Sequence, residues 1–386
     1  MSNATVKNVL IVAGEASGDI HGANLVRAMK KRSPRIRIRG IGGERMAEAG
    51  VELIVSSSEI AVVGLTEVFS RLHSILKARR RIIDHLKGNI PDLLILIDYP
   101  DFNINLARTA KRFGIPVLYY ISPQVWAWRR GRIKKITTRV DHMAVILPFE
   151  RDIYLKSGTE MPVEYVGHPI LDNVPHHLDR GAIKRQLGLN ANYPILGLLP
   201  GSRNEEIKRL LPLMIGAAEI LSKKYPNLKC VLPVAPTITP DLVQSFIRRS
   251  SLDVIVSTRD IYSVLSNCHF AFVTSGTATL ETAIMEIPMV IIYKVSRFSS
   301  WIGKRFIKVP YVGLVNLIAG YEAVPELIQG EITPRVLADE AIRILEDDSK
   351  RRDTVKKLRM IKGRLGSGGA SDNTAKIALE MLADKR

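Results

Sequence analysis

Short runs of β-branched and aliphatic residues alternate with amphipathic stretches of helical period along nearly the whole chain. Candidate strands are Val9–Ala13, Leu93–Asp98, Val117–Ile121, Met143–Leu147, Glu164–Val166, Ile195–Leu199, Lys229–Pro233, Val254–Val256, Phe270–Val273 and Met289–Tyr293. Between them lie helical patterns such as Ala23–Lys31 and Glu205–Lys224, the latter with Ile207, Leu211, Met214, Ala218 and Leu221 on one face and a kink expected at Pro212. Such alternation folds as parallel sheets covered on both faces, a doubly wound α/β architecture.

At 386 residues the chain has room for two such domains. The pattern restarts near residue 195, after the loop-rich stretch Gly167–Asn192. The expected division is an N-terminal Rossmann-like domain over 1–170, a second over 171–346, and a polar helical tail over 347–386 packing back on the first. No apolar run approaches the ~20 residues of a membrane span, and no tandem repeat is visible. Cys230 and Cys268 make no disulfide framework, which fits a reducing cytoplasm.

Charge is the unusual bulk property, with 56 Lys and Arg against 38 Asp and Glu, a net +18. That excess suggests a polyanionic partner or a phosphorylated substrate. No zinc-finger spacing, aromatic RNA-binding motif or basic tail points to nucleic acid.

Five strand ends carry residues suited to chemistry. Val9–Ala13 runs into Gly14-Glu15-Ala16-Ser17-Gly18-Asp19, a turn that brings backbone N–H groups toward a ligand, although Ser17 or Asp19 as a simple helix cap is the competing reading. Glu15 would repel phosphate, so a hydroxyl-rich acceptor suits Glu15, Ser17 and Gly18 better. Leu93–Ile97 ends in Asp98-Tyr99-Pro100-Asp101, where one carboxylate can take a proton from a sugar hydroxyl and the other caps the next helix. Ser122-Pro123-Gln124-Val125-Trp126-Ala127-Trp128-Arg129 follows a strand, with aromatic faces for sugar or acyl chains and Arg129 for phosphate; core aromatics beside a solvated basic run are the alternative.

In the second half, Gly201, Ser202 and Arg203 link a strand to a helix. Ser275-Gly276-Thr277-Ala278-Thr279 leads into another, with Glu281 about two turns on. Backbone donors of such loops wrap a diphosphate, and an acidic residue can hold ribose hydroxyls. There is no G-x-G-x-x-G fingerprint, which argues against a Rossmann oxidoreductase, and no Walker loop or H-E-x-x-H metal motif. His168, in Gly167-His168-Pro169, reads as a hinge-loop residue.

Two basic amphipathic stretches suit an anionic lipid surface, or equally an ordinary helix facing its own core. Val68, Phe69 and Leu72 lead the first, continued by Ile75, Ile82 and Leu86; Phe298, Trp301, Ile302 and Phe306 form the second, among Arg297, Lys304, Arg305 and Lys308.

Taken together, Gly14–Asp19, Asp98–Asn103, Ser122–Arg129, Gly167–Pro169, Leu199–Arg203 and Thr274–Glu281 resemble the signature series of the bacterial lipid-A-disaccharide synthases, in order, over residues 9 to about 330. Tyr99 is bulkier than the small residue expected there, and the tail after residue 347 carries no matching motif. The resemblance implies a GT-B architecture, two doubly wound Rossmann-like domains facing across a cleft. It implies an inverting, metal-independent and cofactor-free glycosyltransferase that joins UDP-2,3-diacylglucosamine to 2,3-diacylglucosamine 1-phosphate, releasing UDP and forming a β-1,6-linked disaccharide. By resemblance and turn position Asp101 is the expected general base, with Asp98 in reserve; Asn316 and Gln329 join the nucleotide-sugar set. The implied partners are the two acylated sugars and the cytoplasmic face of the inner membrane, with a homodimer left open and no nucleic acid. A UDP-N-acetylglucosamine 2-epimerase, or another GT-B UDP-sugar enzyme, is the runner-up.

Overall fold

The computed structural model describes residues 6–60, 68–127, 131–175, 177–188, 194–235, 237–294 and 310–384, with backbone alone at 60, 68–73 and 331. The chain forms two compact units, Met1–Asp172 with Ser367–Arg386, and Asn173–Gly366.

Unit 1 holds seven strands: β1 (Asn8–Ala13), β2 (Arg37–Gly42), β3 (Glu52–Ser56), β4 (Leu93–Ile97), β5 (Val117–Tyr120), β6 (His142–Val145) and β7 (Val163–Tyr165). They lie in the order β3-β2-β1-β4-β5-β6-β7, all parallel. Each β4 residue from Leu93 to Ile97 is fully buried, as a central strand covered on both faces requires. The chain leaves β1 in one direction and β4 in the other, so the order reverses between them. Ligand crevices of open α/β sheets form outside the carboxyl ends at such a point.

Unit 2 repeats the plan with β8 (Ile195–Leu199), β9 (Lys229–Pro233), β10 (Val254–Ser257), β11 (Phe270–Thr274), β12 (Met289–Tyr293) and β13 (Glu326–Ile328). The order is β10-β9-β8-β11-β12-β13, again parallel, and it reverses between β8 and β11. Helix Asn204–Lys224 buries Ile207, Leu211, Met214, Ala218 and Leu221 and continues through Pro212.

The tail does not behave as one segment starting at residue 347. Helix Asp348–Arg364 packs within unit 2, where Arg359 pairs with Glu286 at 2.7 Å and Arg364 donates to the carbonyls of Ile318 and Ala319. Only the last helix, Ala370–Asp384, belongs to unit 1, packed on helix Ala16–Arg32. Asp172 caps its start, accepting from the N–H groups of Gly369, Ala370 and Ser371.

Helix Val68–Gly88 carries the first basic amphipathic stretch, and its described half faces inward. Ala78, Ile82 and Leu86 are buried in the unit 1 core with Ile75 packed against it. An apolar stripe at helical spacing is here the ordinary core face. The side chains of Val68, Phe69 and Leu72, and all of Phe298, Trp301, Ile302 and Phe306, lie outside the described residues. Among the described residues no helix is long and apolar enough to cross a membrane.

Candidate active site

The carboxyl edge of the unit 1 sheet is conformationally strained. Asp98 and Tyr99 have φ of 47° and Ile121 of 67°, left-handed values costly for residues with a β-carbon and severe for a β-branched one. The strain is held by neighbours. Tyr119 Oη donates to the Asp98 carbonyl at 2.6 Å, and Asn103 Nδ2 donates to the carbonyls of Ile97 and Asp98 at 3.1 and 2.7 Å. The Tyr99 ring lies over Gly14, where a side chain would collide with it. Gly14 thus makes room for the bulky Tyr99.

The two candidate carboxylates separate cleanly. Asp98, at the end of β4, is pushed up to about 6 by burial and then by the nearby Glu15 charge. Asp101 sits in the first turn of helix Pro100–Arg112 with 79% of its side chain exposed, ion-paired with Arg132. Burial and a neighbouring like charge thus raise the proton affinity of Asp98, while Asp101 stands at the surface beside Arg132.

Three residues expected to touch an acceptor are interior instead. Trp126 is 6% exposed, its ring edge-on to Phe149, and its Nε1 donates to Glu150 at 3.1 Å. Glu150 also accepts from the N–H groups of Ile146 and Leu147, and burial pushes its carboxyl up to about 7. Ser122 is buried, bonding Tyr154 Oη and the Pro123 carbonyl. Gly18 is buried against Ala13 and Ile97, where its lack of a side chain lets the helix close on the strands. Glu15 and Ser17 remain exposed beyond β1, and Arg129 lies outside the described residues. Asp19 does not cap its own helix; it accepts from the N–H groups of Gly43, Arg45 and Met46, at the start of helix Glu44–Glu48. His168 is buried as well, its Nδ1 accepting from Ile170 N–H at 3.2 Å.

Unit 2 opens a cavity of about 510 Å³ at the carboxyl ends of β8, β9, β10 and β11. Its wall brings together Gly201, Ser202, Arg203, Ser275, Gly276, Thr277, Ala278 and Glu281. The volume falls in the range of small-molecule sites, about 300–1,000 Å³. Helix Thr277–Ile284 begins there, and the first N–H groups of a helix have no partner inside it. With the helix dipole they favour an anion. Glu281, one turn into the helix, is pushed up to about 7 by burial.

Several details depart from expectation. Ser275 donates its N–H to the Ile292 carbonyl and its hydroxyl to the Val312 carbonyl, so it shapes the wall rather than supplying a donor. Thr279 is fully buried, its hydroxyl turned onto the Gly276 carbonyl. Asn316 is fully buried too, its amide spent on Ala323, Val324 and Glu326. Gln329 starts a short 3-10 turn after β13 and is not on the cavity wall. Sequence reasoning missed Glu206, Pro233–Ala235 and Thr258–Ile261, which complete that wall. Their position just past the β8, β9 and β10 strand runs was the available signal.

Two parallel sheets of this kind define a GT-B-like α/β protein. The fold is shared, at 14% identity, with a UDP-GlcNAc 2-epimerase from Neisseria meningitidis solved bound to UDP-GlcNAc, with TM-score 0.68 over 98% of this chain and 100% of that one. It is also shared with the calicheamicin glycosyltransferase CalG4 at TM-score 0.64, 14% identity and 98% of each chain. MurG from Acinetobacter baumannii aligns at TM-score 0.59, 15% identity, 97% of this chain and 99% of that one.

Sequence narrows the class. The chain belongs to the lipid-A-disaccharide synthetase family, whose pattern it matches over residues 9–379. It is 47% identical over 386 residues to the lipid-A-disaccharide synthase of Geobacter metallireducens, covering 100% of each. It is 41% identical over 382 residues to that of Coxiella burnetii, covering 99% of this chain and 100% of the relative.

Proposed function

We propose that the chain transfers 2,3-diacylglucosamine from its UDP derivative to the 6-hydroxyl of 2,3-diacylglucosamine 1-phosphate. The observation that carries this, beside family membership over nearly the whole chain, is the unit 2 cavity. There a guanidinium, a helix start and a half-buried carboxylate line one space of nucleotide-sugar size. The acceptor hydroxyl gives its proton to Asp98, its oxygen bonds to the sugar anomeric carbon, and the bond from that carbon to the diphosphate breaks with inversion. Arg203 and the first N–H groups of helix Thr277–Ile284 take up the charge on departing UDP, a role a metal would otherwise fill. Glu281 accepts from ribose hydroxyls.

Purified protein given both acylated sugars should release UDP and form disaccharide in equal amounts, with EDTA leaving the rate unchanged. UDP release without disaccharide, or conversion of a UDP-sugar to its 2-epimer with no acceptor present, would sink this reading in favour of a hydrolase or epimerase. Loss of activity in EDTA that magnesium restores would sink the metal-free step alone.

Acylated substrates partition into bilayers, so the enzyme must meet them at a lipid surface. The aromatic residues among Arg297–Lys308 and the net +18 charge suit the cytoplasmic face of an anionic inner membrane. Replacing Trp301 and Phe306 together by Ser should lower sedimentation with anionic vesicles while leaving UDP affinity intact. Unchanged sedimentation would remove this segment from the contact.

A further inference from the structure

The loop between β8 and helix Asn204–Lys224 already contains an anion. Glu206 Oε2 accepts from the N–H groups of Ser202 at 3.0 Å and Arg203 at 3.2 Å, while Oε1 accepts from the Arg203 guanidinium at 3.0 Å. Gly201, with φ of 117°, leaves the space this carboxylate occupies, since a side chain there would collide with it. From the other side Thr237 Oγ1 donates to the Ser202 carbonyl at 2.7 Å. The turn is therefore pinned from both sides.

A glycine turn before a helix ordinarily leaves such N–H groups to a phosphate. Here the protein uses two of them itself. We propose that Glu206 is a positioning residue: it fills the anion nest of the 201–203 turn, so that this loop engages the nucleotide diphosphate only through the Arg203 side chain, which Glu206 orients at the cavity wall. The inference rests on reading the cavity as a nucleotide-diphosphate site. The phosphates then draw their backbone donors from the Gly276–Ala278 side. Arg203, 80% exposed at its side chain, has five N–H groups, and the contact with Glu206 leaves others for the ligand. Pairing with Glu206 in advance also lowers the ordering cost that a long exposed side chain meets on binding.

Calorimetric titration of UDP into the full chain, at one salt concentration, tests this with E206Q, R203A and the double variant. An amide at 206 replaces one acceptor by a donor facing N–H groups, so E206Q should weaken UDP ~10-fold, the scale of a charged hydrogen bond. R203A should weaken it at least as much, and the double variant should bind no more weakly than R203A, because residues acting in series do not add. Additive losses would mean that Glu206 acts on loop structure independently of Arg203, overturning the proposal. UDP bound as tightly or more tightly by E206Q would overturn it too, marking the carboxylate as a competitor that phosphate must displace. Should E206Q fail to fold, E206D, which keeps the charge but draws it back one methylene, enters the same cycle with the same expected order. Absence of UDP binding by the unaltered protein would overturn the nucleotide reading itself. Binding with additive variants overturns the role of Glu206 alone.

Discussion

Asp98 and Glu15 stand just past the ends of adjacent strands, β4 and β1, paired in register from Val9 with Leu93 to Ala13 with Ile97. The Glu15 charge reinforces burial in holding the Asp98 carboxyl up to about 6, and the charge of Asp98 in turn bears on the buried Glu150 and on the Tyr119 phenol. Asp98 thus sits at the reversal of strand order with a proton affinity tuned close to neutrality.

Asp98→Asn should therefore lower turnover by roughly 10²–10⁴-fold, the range for loss of a general base, with UDP affinity kept because that cavity lies in unit 2. Asp101→Asn removes an exposed partner of Arg132 and should cost less than about 1 kcal/mol of stability, with turnover near normal. Rates of disaccharide formation for the two variants decide between them. An inactive Asp101→Asn beside an active Asp98→Asn would return the role to Asp101.

The acid limb of the pH–rate profile should fall near pH 6, where Asp98 takes up its proton. A negative neighbour raises a carboxyl, so neutralising it lowers the value: Glu15→Gln should move that limb to lower pH. Profiles of kcat/KM for both proteins supply the check, and a limb that stays in place would remove Glu15 from the tuning.

Unit 1 should lose stability on mild acidification. Burial lowers His21 to about 4, against a smaller opposing pull from Asp172, and lowers His168 to about 3, helped by His21. Both folded values lie below the ordinary 6.5, so the unfolded chain binds protons first as pH falls. The contribution of the neutral rings is complete above about pH 6.5 and is lost progressively toward pH 4 and below, a few kcal/mol in all. Denaturant midpoints between pH 7 and 4.5 should fall more steeply for the unaltered chain than for His21→Gln. Parallel slopes would show that His21 does not contribute.

Much of this was legible from residues. The strands β4, β8 and β11, apolar throughout but for Thr274, stand out because burial on both faces leaves no alternation to misread, and the loops at their ends follow directly. Arg37–Gly42, Glu52–Ser56 and Glu326–Ile328 were not read as strands. The first mixes arginine and glycine with isoleucine, and the last is three residues long, so neither yields a period. At the sites, residue type misled where polarity served the interior. The Trp126 indole looked like a sugar platform, yet its N–H has a partner in Glu150, 24 residues along the chain. Asn316 carries a side chain suited to a ligand, but four contacts with 323–326 consume it. Such pairings are set by tertiary approach, which no local spacing reports.

Because Ala370–Asp384 supplies the last helix of unit 1, the half of the protein that leaves the ribosome first is the last to be completed. Asn173–Gly366 emerges as one continuous stretch and has its own sheet and cavity before that helix exists. Until then Asp172 has no helix start to cap, and the apolar face of Ala16–Arg32 that receives the final helix waits uncovered. The order of completion thus reverses the order of synthesis: a chain halted after Gly366 would hold a finished unit 2 and a unit 1 still missing its last helix.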